Sequence, residues 1–415
     1  MRYGQGALAL AVSPVIAVLM SSSATSHLTS WQRGLLLASL MLIALNLRPA
    51  LSSLAPLLRQ IEASTGLSSS AIGLLTTLPV LCLGLFAPLA PRLARRWGSE
   101  RTLGAILALL ACGIVLRSLL PPLGLFLGSL IAGACIGILG VLLPALVKRD
   151  FPAQAGQLMG LYTMMLCIGA AVAAGATAPL AEAFDGHWQP ALAAWALVAV
   201  IALLVWLPQL RQAPTTAPAR GAGGSLWRNR LAWQITLYMG LQSSLAYIVF
   251  GWLPTLLMDR GLGMVQAGLM LSGSVMTQLV SALTAPWLAT RGQDQRLAIV
   301  VVMSLTLAGL LGCLYAPVGS LWLWAVILGL GQGGTFSLAL ALLVLRSRDA
   351  ETAGRLSGMA QGAGYSLASL GPLLVGIIHD ATHGWAPMGV LFTLIAVLAT
   401  LFGLGAGRTR YVNDV

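Results

Sequence analysis

The chain has 415 residues, of which 58% are hydrophobic and only 8% are charged, and its formal net charge is +12. This composition excludes an ordinary soluble domain, in which about 25% of the residues are charged. It predicts a membrane protein whose solvent is the lipid bilayer. The positive charge could also indicate nucleic acid or acidic partners, so the positions of the basic residues decide its meaning.

The first 34 residues precede the first long apolar run. The segment from Ala7 to Met20 is interrupted by Ser13 and Pro14 and is too short to cross a bilayer, which needs about 20 apolar residues. It could be a signal-like segment, an interfacial helix, or an artefact of an upstream start codon with Met20 as the true start. We favour the last two interpretations and place residues 1–34 outside the fold.

Twelve apolar runs, each long enough to span a membrane, follow one another along the rest of the chain. They predict an all-α membrane protein with twelve transmembrane helices. The predicted spans are residues 35–58, 71–90, 102–119, 124–147, 155–180, 188–207, 231–257, 264–289, 296–316, 320–345, 355–378 and 385–406.

The basic residues are distributed asymmetrically between the segments that connect the spans. With a cytoplasmic N-terminus, nineteen of the 23 lysines and arginines fall on the inside. Only Arg59, Arg117 and Arg260 fall on the outside, and Arg48 lies within a span. This asymmetry predicts that both termini are cytoplasmic. A nucleic-acid surface would instead gather such charges on one face among aromatic residues, so we expect no nucleic-acid partner.

Two sequence motifs recur in the second half of the chain. Residues 90–96 (APRLARR) are similar to 285–291 (APWLATR), and residues 155–160 (AGQLMG) are similar to 353–358 (AGRLSG). Such repeats are typical of transporters built from two related halves. The predicted parts are a six-helix half at 35–207, a flexible proline- and glycine-containing linker at 208–230, a six-helix half at 231–406 and a tail at 407–415.

Several motifs resemble those of a known transporter family. They are residues 46–58 (NLRPALSSLAPLL), 87–96 (APLAPRLARR), 240–244 (GLQSS) with 252–254 (WLP), and 360–365 (AQGAGY) with 370–374 (LGPLL). They are similar to the cyanate permease branch of the major facilitator superfamily, which also contains 2-nitroimidazole exporters. The resemblance implies the major facilitator fold and a substrate site between the two halves near the bilayer midplane. In the loop between the second and third spans, the superfamily usually has aspartate at the position of Arg95. We therefore do not assign the superfamily's gating ion pair to this loop.

Arg48 is the most informative residue of the sequence. A charge at the bilayer centre costs at least about 2.5–3.5 kcal/mol, so it normally faces a cavity or a partner. All eleven acidic residues lie outside the predicted spans, which suggests that the substrate supplies the negative charge. Pro49 predicts a break in the helix at Arg48, and Asn46 offers an amide nearby. Alternatively, Arg48 binds backbone carbonyls of a neighbouring helix and only stabilises the packing.

Other polar residues inside the spans are candidate substrate contacts. Gln242 lies near the repeat position of Asn46, and Gln361 and Tyr365 share one helix face. An interhelical hydrogen bond explains each of them equally well. The predicted substrate-binding residues are Arg48, Asn46, Gln242, Tyr162, Tyr247, Gln332, Gln361 and Tyr365. We interpret three series of glycines as close helix contacts, namely Gly133 and Gly137 in the fourth span, Gly156 and Gly160 in the fifth, and Gly354, Gly358 and Gly362 in the eleventh.

Other chemistries lack support in the sequence. The single lysine, Lys148, does not follow a glycine-rich loop, so no ATP site is predicted. The five cysteines are scattered, and His379, Asp380 and His383 are a weak case for a metal site. We predict no enzyme activity, because the spans contain no cluster of an acid, a base and a nucleophile. We also predict no cofactor and no metal.

These observations predict a secondary active transporter, a monomer with multiple spans in the inner membrane. It would move a small planar anion or weak acid, cyanate-like or nitroimidazole-like, by alternating access, with Arg48 as the anion anchor. One alternative is a multidrug-type exporter of neutral or cationic compounds in which Arg48 is structural. A second alternative is a membrane receptor or scaffold that transports nothing.

Overall fold

The computed structural model describes residues 30–151, 154–211, 226–291, 294–348 and 350–412. Several predicted segments fall outside this part of the chain. Residues 1–29 of the N-terminal extension, 212–225 of the linker and 413–415 of the tail are not among the described residues. Within the described ranges the regular structure is helical.

Twelve helical segments of the described residues are long and apolar enough to cross a membrane, which confirms the predicted number. Nine of them are single α-helices. In chain order these are the second span (Ser69–Phe86), third (Ser99–Leu119), fourth (Leu123–Asp150), fifth (Ala155–Ala183), seventh (Arg230–Asp259), eighth (Met264–Arg291), ninth (Arg296–Tyr315), tenth (Leu321–Leu345) and twelfth (Met388–Ala406).

The other three spans are built from consecutive helices. The first span consists of Ser30–Asn46, Pro49–Ser52, the 3-10 turn Ala55–Leu57 and Leu58–Thr65; the sixth of Trp188–Ala193 and Trp195–Trp206; the eleventh of Ala350–Ala368 and Leu370–Thr382. One further α-helix, Leu89–Trp97, connects the second and third spans, and short 3-10 helices cover Leu207–Arg211, Leu226–Arg228 and Val318–Ser320.

The first helix begins at Ser30, ahead of the predicted start at residue 35. Hydropathy marks only the part of a helix that lipid must cover. The polar turn around Gln32 and Arg33 extends the same helix beyond that part.

The break at Arg48 is present as predicted. Pro49 has no N–H and therefore donates no hydrogen bond to the preceding turn, while Leu47 N donates to Ala44 O at 3.1 Å in a tighter turn. The carbonyl of Arg48 accepts from Leu51 N at 2.9 Å and opens the next short helix at Pro49. The first span is therefore interrupted near its middle, and Arg48 lies at this interruption.

Glycines bring some of the spans into direct backbone contact. A Cβ atom on Gly133 would lie 2.5 Å from Pro79 Cα, and one on Gly137 would lie 2.9 Å from Leu83 O. The predicted close contact of the fourth span is thus confirmed against the second span. For Gly160 and Gly354 the prediction is wrong, because no atom of a neighbouring helix lies within 4 Å of the position of such a Cβ.

The first six and the last six spans are connected at one end of the bundle, which we call the closed end. Arg59 forms a salt bridge of 3.0 Å with Asp259, joining the first and seventh spans. Asp380 of the eleventh span accepts hydrogen bonds from Ser69 N at 2.9 Å and Ser70 N at 2.7 Å. These two amides are at the N-terminus of the second span, where the helix dipole favours a negative charge.

Candidate functional site

Two neighbouring cavities meet at Arg48. The larger has a volume of about 260 Å³ and the smaller about 50 Å³. Both are lined by residues from the first, fifth, seventh and tenth spans, so they lie between the first six spans and the last six. The shared lining residues are Arg48, Thr163, Leu166, Tyr247 and Phe336.

The larger cavity extends away from the closed end. It reaches Ala87 after the last residue of the second span, Pro144 late in the fourth span and Ser357 early in the eleventh. These positions lie toward the end of the bundle opposite Asp380 and Arg59. The cavity therefore leads from Arg48 to one face of the bundle, while the closed end separates Arg48 from the other face.

The guanidinium group of Arg48 is available to a ligand. Arg48 lies midway along the 35-residue first span, and its guanidinium carbon lies 5.5 Å from the centroid of the Phe250 ring. The side chain forms no hydrogen bond or ion pair with any residue that the structure describes. The expectation for a purely structural Arg48, hydrogen bonds to carbonyls of a neighbouring helix, is not met in this conformation.

Arg117 has the structural role that Arg48 lacks. Its Nη1 donates to Ala50 O at 2.7 Å, and its Nη2 donates to Ser53 Oγ at 3.1 Å. Arg117, which the sequence analysis counted among the outside residues, is in the last helical turn of the third span and only 1% exposed. In a sequence, an arginine near the end of a span looks like one whose side chain reaches solvent. Only the contacts of Arg117 show that it supports the broken segment of the first span.

Aromatic side chains form much of the wall around Arg48. Tyr162, Tyr247 and Tyr365 line the larger cavity, and the rings of Tyr247 and Tyr365 meet edge to face with centroids 6.1 Å apart. Gln361 lines the same cavity and donates from Nε2 to Ser357 Oγ at 2.8 Å. The structure therefore brings together most of the predicted site residues, namely Arg48, Tyr162, Tyr247, Gln361 and Tyr365 around the larger cavity and Gln332 at the smaller one.

Asn46 and Gln242 lie elsewhere in this structure. Each is 2% exposed, and neither lines the two cavities at Arg48. Asn46 donates from Nδ2 to Val198 O of the sixth span at 3.2 Å. Gln242 donates from Nε2 to Ser243 Oγ at 2.8 Å and accepts from Thr335 Oγ1 at 3.3 Å. Here both amides connect helices, and their contact with a substrate stays a prediction.

Sequence reasoning missed several residues that line the cavities. Gln278 is the most notable, because its Nε2 donates to Gln332 Oε1 at 3.2 Å. The available signal was the same one that identified Gln332, an amide side chain within an apolar span. The other missed polar and aromatic lining residues are Thr163, Ser243, Phe250, Phe336 and Ser357.

Among the described residues that line either cavity, none is acidic. Arg48 is their only basic residue, so the site has a positive electrostatic potential. The weak metal candidate of the sequence has other contacts, because the His379 ring stacks against Trp252 with centroids 6.3 Å apart and Asp380 binds Ser69 and Ser70. Within the described ranges no group of three or more potential ligands could hold a metal ion.

Solved structures of transporters share the fold. A bacterial homolog of the human lysosomal transporter Spinster, in an inward-facing and occupied conformation, superposes with a TM-score of 0.73 at 16% identity, covering 91% of this chain and 97% of that one. A D-xylose–proton symporter superposes with a TM-score of 0.72 at 15% identity, covering 92% and 98%. At such identities the likeness shows the fold alone, and it confirms the predicted fold class.

Other transporters have a higher sequence identity to this chain than these solved structures do. A 2-nitroimidazole transporter of Escherichia coli (strain K12) is 38% identical over 394 residues, which cover 94% of this chain and 99% of the relative. The cyanate transport protein CynX of the same organism is 34% identical, covering 84% and 91%. The uncharacterized transporter YycB of Bacillus subtilis (strain 168) is 40% identical, covering 91% and 94%. These relatives are transporters rather than enzymes.

The model of the Major Facilitator Superfamily matches residues 35–372. This range contains most of the first span, the second to tenth spans and most of the eleventh, including every residue that lines the two cavities at Arg48. The chain therefore belongs to the Major Facilitator Superfamily and is a multi-pass transporter of the inner membrane, with twelve spans in the part of the chain that the structure describes.

Proposed function

We propose that the chain is a secondary active transporter of a small planar anion or weak acid, with Arg48 as the anion anchor. One observation carries the proposal. The guanidinium group at the break of the first span lines both cavities and has no hydrogen-bonding or ionic partner among the described residues.

Electrostatics explains why this observation points to an anion. A charged group that is removed from water without a partner is costly, and an anion in the cavity would compensate it. The guanidinium group is a planar fork of donors, which suits two neighbouring oxygen or nitrogen acceptors of a flat anion. The Phe250 ring at 5.5 Å supports the cation while leaving its hydrogen-bond donors free.

The relatives and the cavity volumes agree with this substrate class. The names of two relatives refer to 2-nitroimidazole and to cyanate, which are both small and planar. The larger cavity, of about 260 Å³, has room for a heterocyclic ring, and the smaller one, of about 50 Å³, adds space next to it at Arg48. Because Arg48 lines both cavities, the same anchor would serve either kind of substrate.

The membrane potential restricts the coupling. A monovalent anion entering a cell that is negative inside moves against about 2.3 kcal/mol per 100 mV. Among the described residues that line the cavities, no carboxylate is present to carry a coupled proton. Transport without a coupling carboxylate is possible in three ways: by exchange of anions, by export, or by uptake of a weak acid together with its own proton.

The aromatic wall supports a second candidate. Tyr162, Tyr247, Tyr365 and Phe336 could bind a neutral aromatic compound without help from a cation, as in a multidrug-type exporter. In that case Arg48 would have only a structural role. The alternative of a receptor or scaffold is dropped, because family and relatives make the chain a transporter.

Counterflow into proteoliposomes tests the proposal. Vesicles loaded with unlabelled cyanate or 2-nitroimidazole receive the same compound in labelled form, for the wild type, Arg48→Gln and the exposed control Arg101→Gln. We expect wild-type and Arg101→Gln protein to accumulate at least one label and Arg48→Gln to lose it, because glutamine keeps hydrogen bonds but not the charge. Undiminished counterflow in Arg48→Gln would refute the anchor and favour the second candidate.

A further inference from the structure

A chain of hydrogen bonds orients two amide side chains beside Arg48. The backbone oxygen of Leu245 can only accept, so Nε2 of Gln332, at 3.4 Å, is the atom that faces it. Oε1 of Gln332 then points to Gln278 and accepts from its Nε2 at 3.2 Å. This leaves Oε1 of Gln278 without a hydrogen-bond donor among the described residues, at a cavity of about 50 Å³ that also contains Arg48.

A similar chain orients Ser243, which lines the same cavity. Gln242 uses Oε1 to accept from Thr335 Oγ1 at 3.3 Å, so its Nε2 faces Ser243 Oγ at 2.8 Å. The Ser243 oxygen is therefore an acceptor in this bond, and its O–H is free to donate to a ligand. The smaller cavity thus contains a cation at one side and, on the seventh and eighth spans, a free amide oxygen with a free hydroxyl proton.

From this arrangement we infer that Gln278, Gln332 and Ser243 form a specificity subsite, the amide subsite, for a hydrogen-bond donor on the substrate. The negative end of the substrate would lie at Arg48, and a hydroxyl or N–H elsewhere on the molecule would donate to Gln278 Oε1. The preferred substrates are then planar monoanions that carry such a donor. This inference rests on the proposed function and makes it more specific.

An interhelical bond alone does not explain the arrangement. The Gln278–Gln332 bond joins the eighth and tenth spans, but any hydrogen-bonded pair of polar side chains could join two helices in this way. Here one of the two amide oxygens remains unused at a cavity wall. Gln278 is half-buried at the wall of the smaller cavity, so this acceptor is accessible to a hydrogen-bond donor on a ligand.

A pair of anions that differ in one donor tests the inference. Benzoate and 4-hydroxybenzoate are both planar monoanions at neutral pH, and only the second has a hydroxyl group opposite its carboxylate. Their dissociation constants are measured by calorimetry with purified wild-type protein, Gln278→Met, Gln278→Asn and Arg48→Gln. Gln266→Met is the matched control, because Gln266 lies on the same helix but is exposed.

We expect the wild type and Gln266→Met to bind 4-hydroxybenzoate roughly three- to tenfold more tightly than benzoate, the range of one neutral hydrogen bond. Gln278→Met should remove this preference, because it removes the acceptor Oε1 and so weakens the binding of 4-hydroxybenzoate more than the binding of benzoate. Gln278→Asn keeps the amide but shortens the side chain, so it should remove the preference too, and it remains informative if Gln278→Met does not fold.

The outcomes separate the subsite from the anchor. If both Gln278 variants keep the wild-type preference while Arg48→Gln loses both anions, the amide subsite is refuted and the proposed function stands. If Arg48→Gln binds both anions as the wild type does, the proposed function fails. Failure of the wild type to bind either anion would refute the inferred ligand class.

Discussion

At the scale of single residues, Arg48 and Arg117 show what a charge does inside this bundle. Arg117 donates to Ala50 O and Ser53 Oγ and is 1% exposed, so protein groups replace water at both of its Nη atoms. Arg48 lies against Phe250 and faces the cavities without such bonds among the described residues. A charge that already has protein partners stabilises structure, whereas one that lacks them can bind an anion.

The ring beneath Arg48 provides a first prediction. Phe250→Leu keeps an apolar side chain but removes the aromatic face 5.5 Å from the guanidinium carbon. We expect anion affinity to fall about five- to thirtyfold, since a desolvated cation–π contact contributes about 1–2 kcal/mol. Calorimetric titration with the transported anion measures the change. Phe336→Leu is the control, because Phe336 lines both cavities; an equal loss there would contradict a specific role for Phe250.

Two neighbouring serines allow the hydrogen bond to Arg117 to be compared with a hydrogen bond inside the broken segment itself. Ser53→Ala removes a partner of Arg117 and should lower the free energy of unfolding by about 1.5–3 kcal/mol, the range for a hydrogen bond to a charged group. Ser52→Ala removes only a bond to the Arg48 carbonyl within the same helix and should cost about 1 kcal/mol or less. Thermal unfolding in detergent compares the two, and an equal effect would argue against the support by Arg117.

At the scale of elements, the break in the first span depends on close contact with its neighbours. Gly169 of the fifth span lies against the Leu45 carbonyl, three residues before Arg48, so closely that a Cβ at position 169 would overlap the carbonyl oxygen. The fifth span also provides Tyr162 and Thr163 to the cavity wall. The position of Arg48 relative to that wall is therefore set by a helix contact that only glycine allows.

Gly169→Ala tests this contact. The added methyl group must displace the first span, which should cost about 1–3 kcal/mol of stability and reduce transport strongly, because Arg48 moves with the segment. Gly160→Ala is the matched control on the same helix, where no atom of a neighbouring helix lies within 4 Å of the new Cβ. Counterflow and thermal unfolding are measured for both variants. Normal counterflow in Gly169→Ala would show that the placement of Arg48 tolerates such a shift.

At the scale of the whole molecule, the closed end holds the first six spans against the last six. Asp380 neutralises part of the helix dipole at the N-terminus of the second span, and Arg59 binds Asp259. These contacts must break if the cavities are to open at this end. They therefore stabilise the conformation seen here relative to the one that exposes Arg48 on the opposite side.

Asp380→Asn should shift this equilibrium. Loss of charge-assisted bonds to Ser69 N and Ser70 N would favour opening at the closed end by about tenfold or more. The readout is the labelling rate of Cys167, which lines the smaller cavity, by an impermeant thiol reagent from that side, with the other cysteines replaced by alanine. Glu182→Gln, at an exposed position, is the control. Unchanged labelling in Asp380→Asn would rule out the proposed role of this contact.

The sequence by itself determined the solvent, the number of spans and the break at Arg48. Transfer of apolar residues into lipid and the missing N–H of Pro49 are local effects, so they can be evaluated residue by residue along the chain. The absence of acidic residues from the predicted spans likewise singled out Arg48 before any contact was known.

Only the tertiary structure decided which polar side chains meet at that arginine. Gln242, Gln278 and Gln332 are all amides in apolar spans, yet Gln278 and Gln332 line the smaller cavity and Gln242 does not. The difference arises from the rotation of each helix about its axis, which depends on contacts with neighbouring helices such as the one at Gly169. Those contacts join residues far apart in the chain, and hydropathy and spacing within one span contain no information about them.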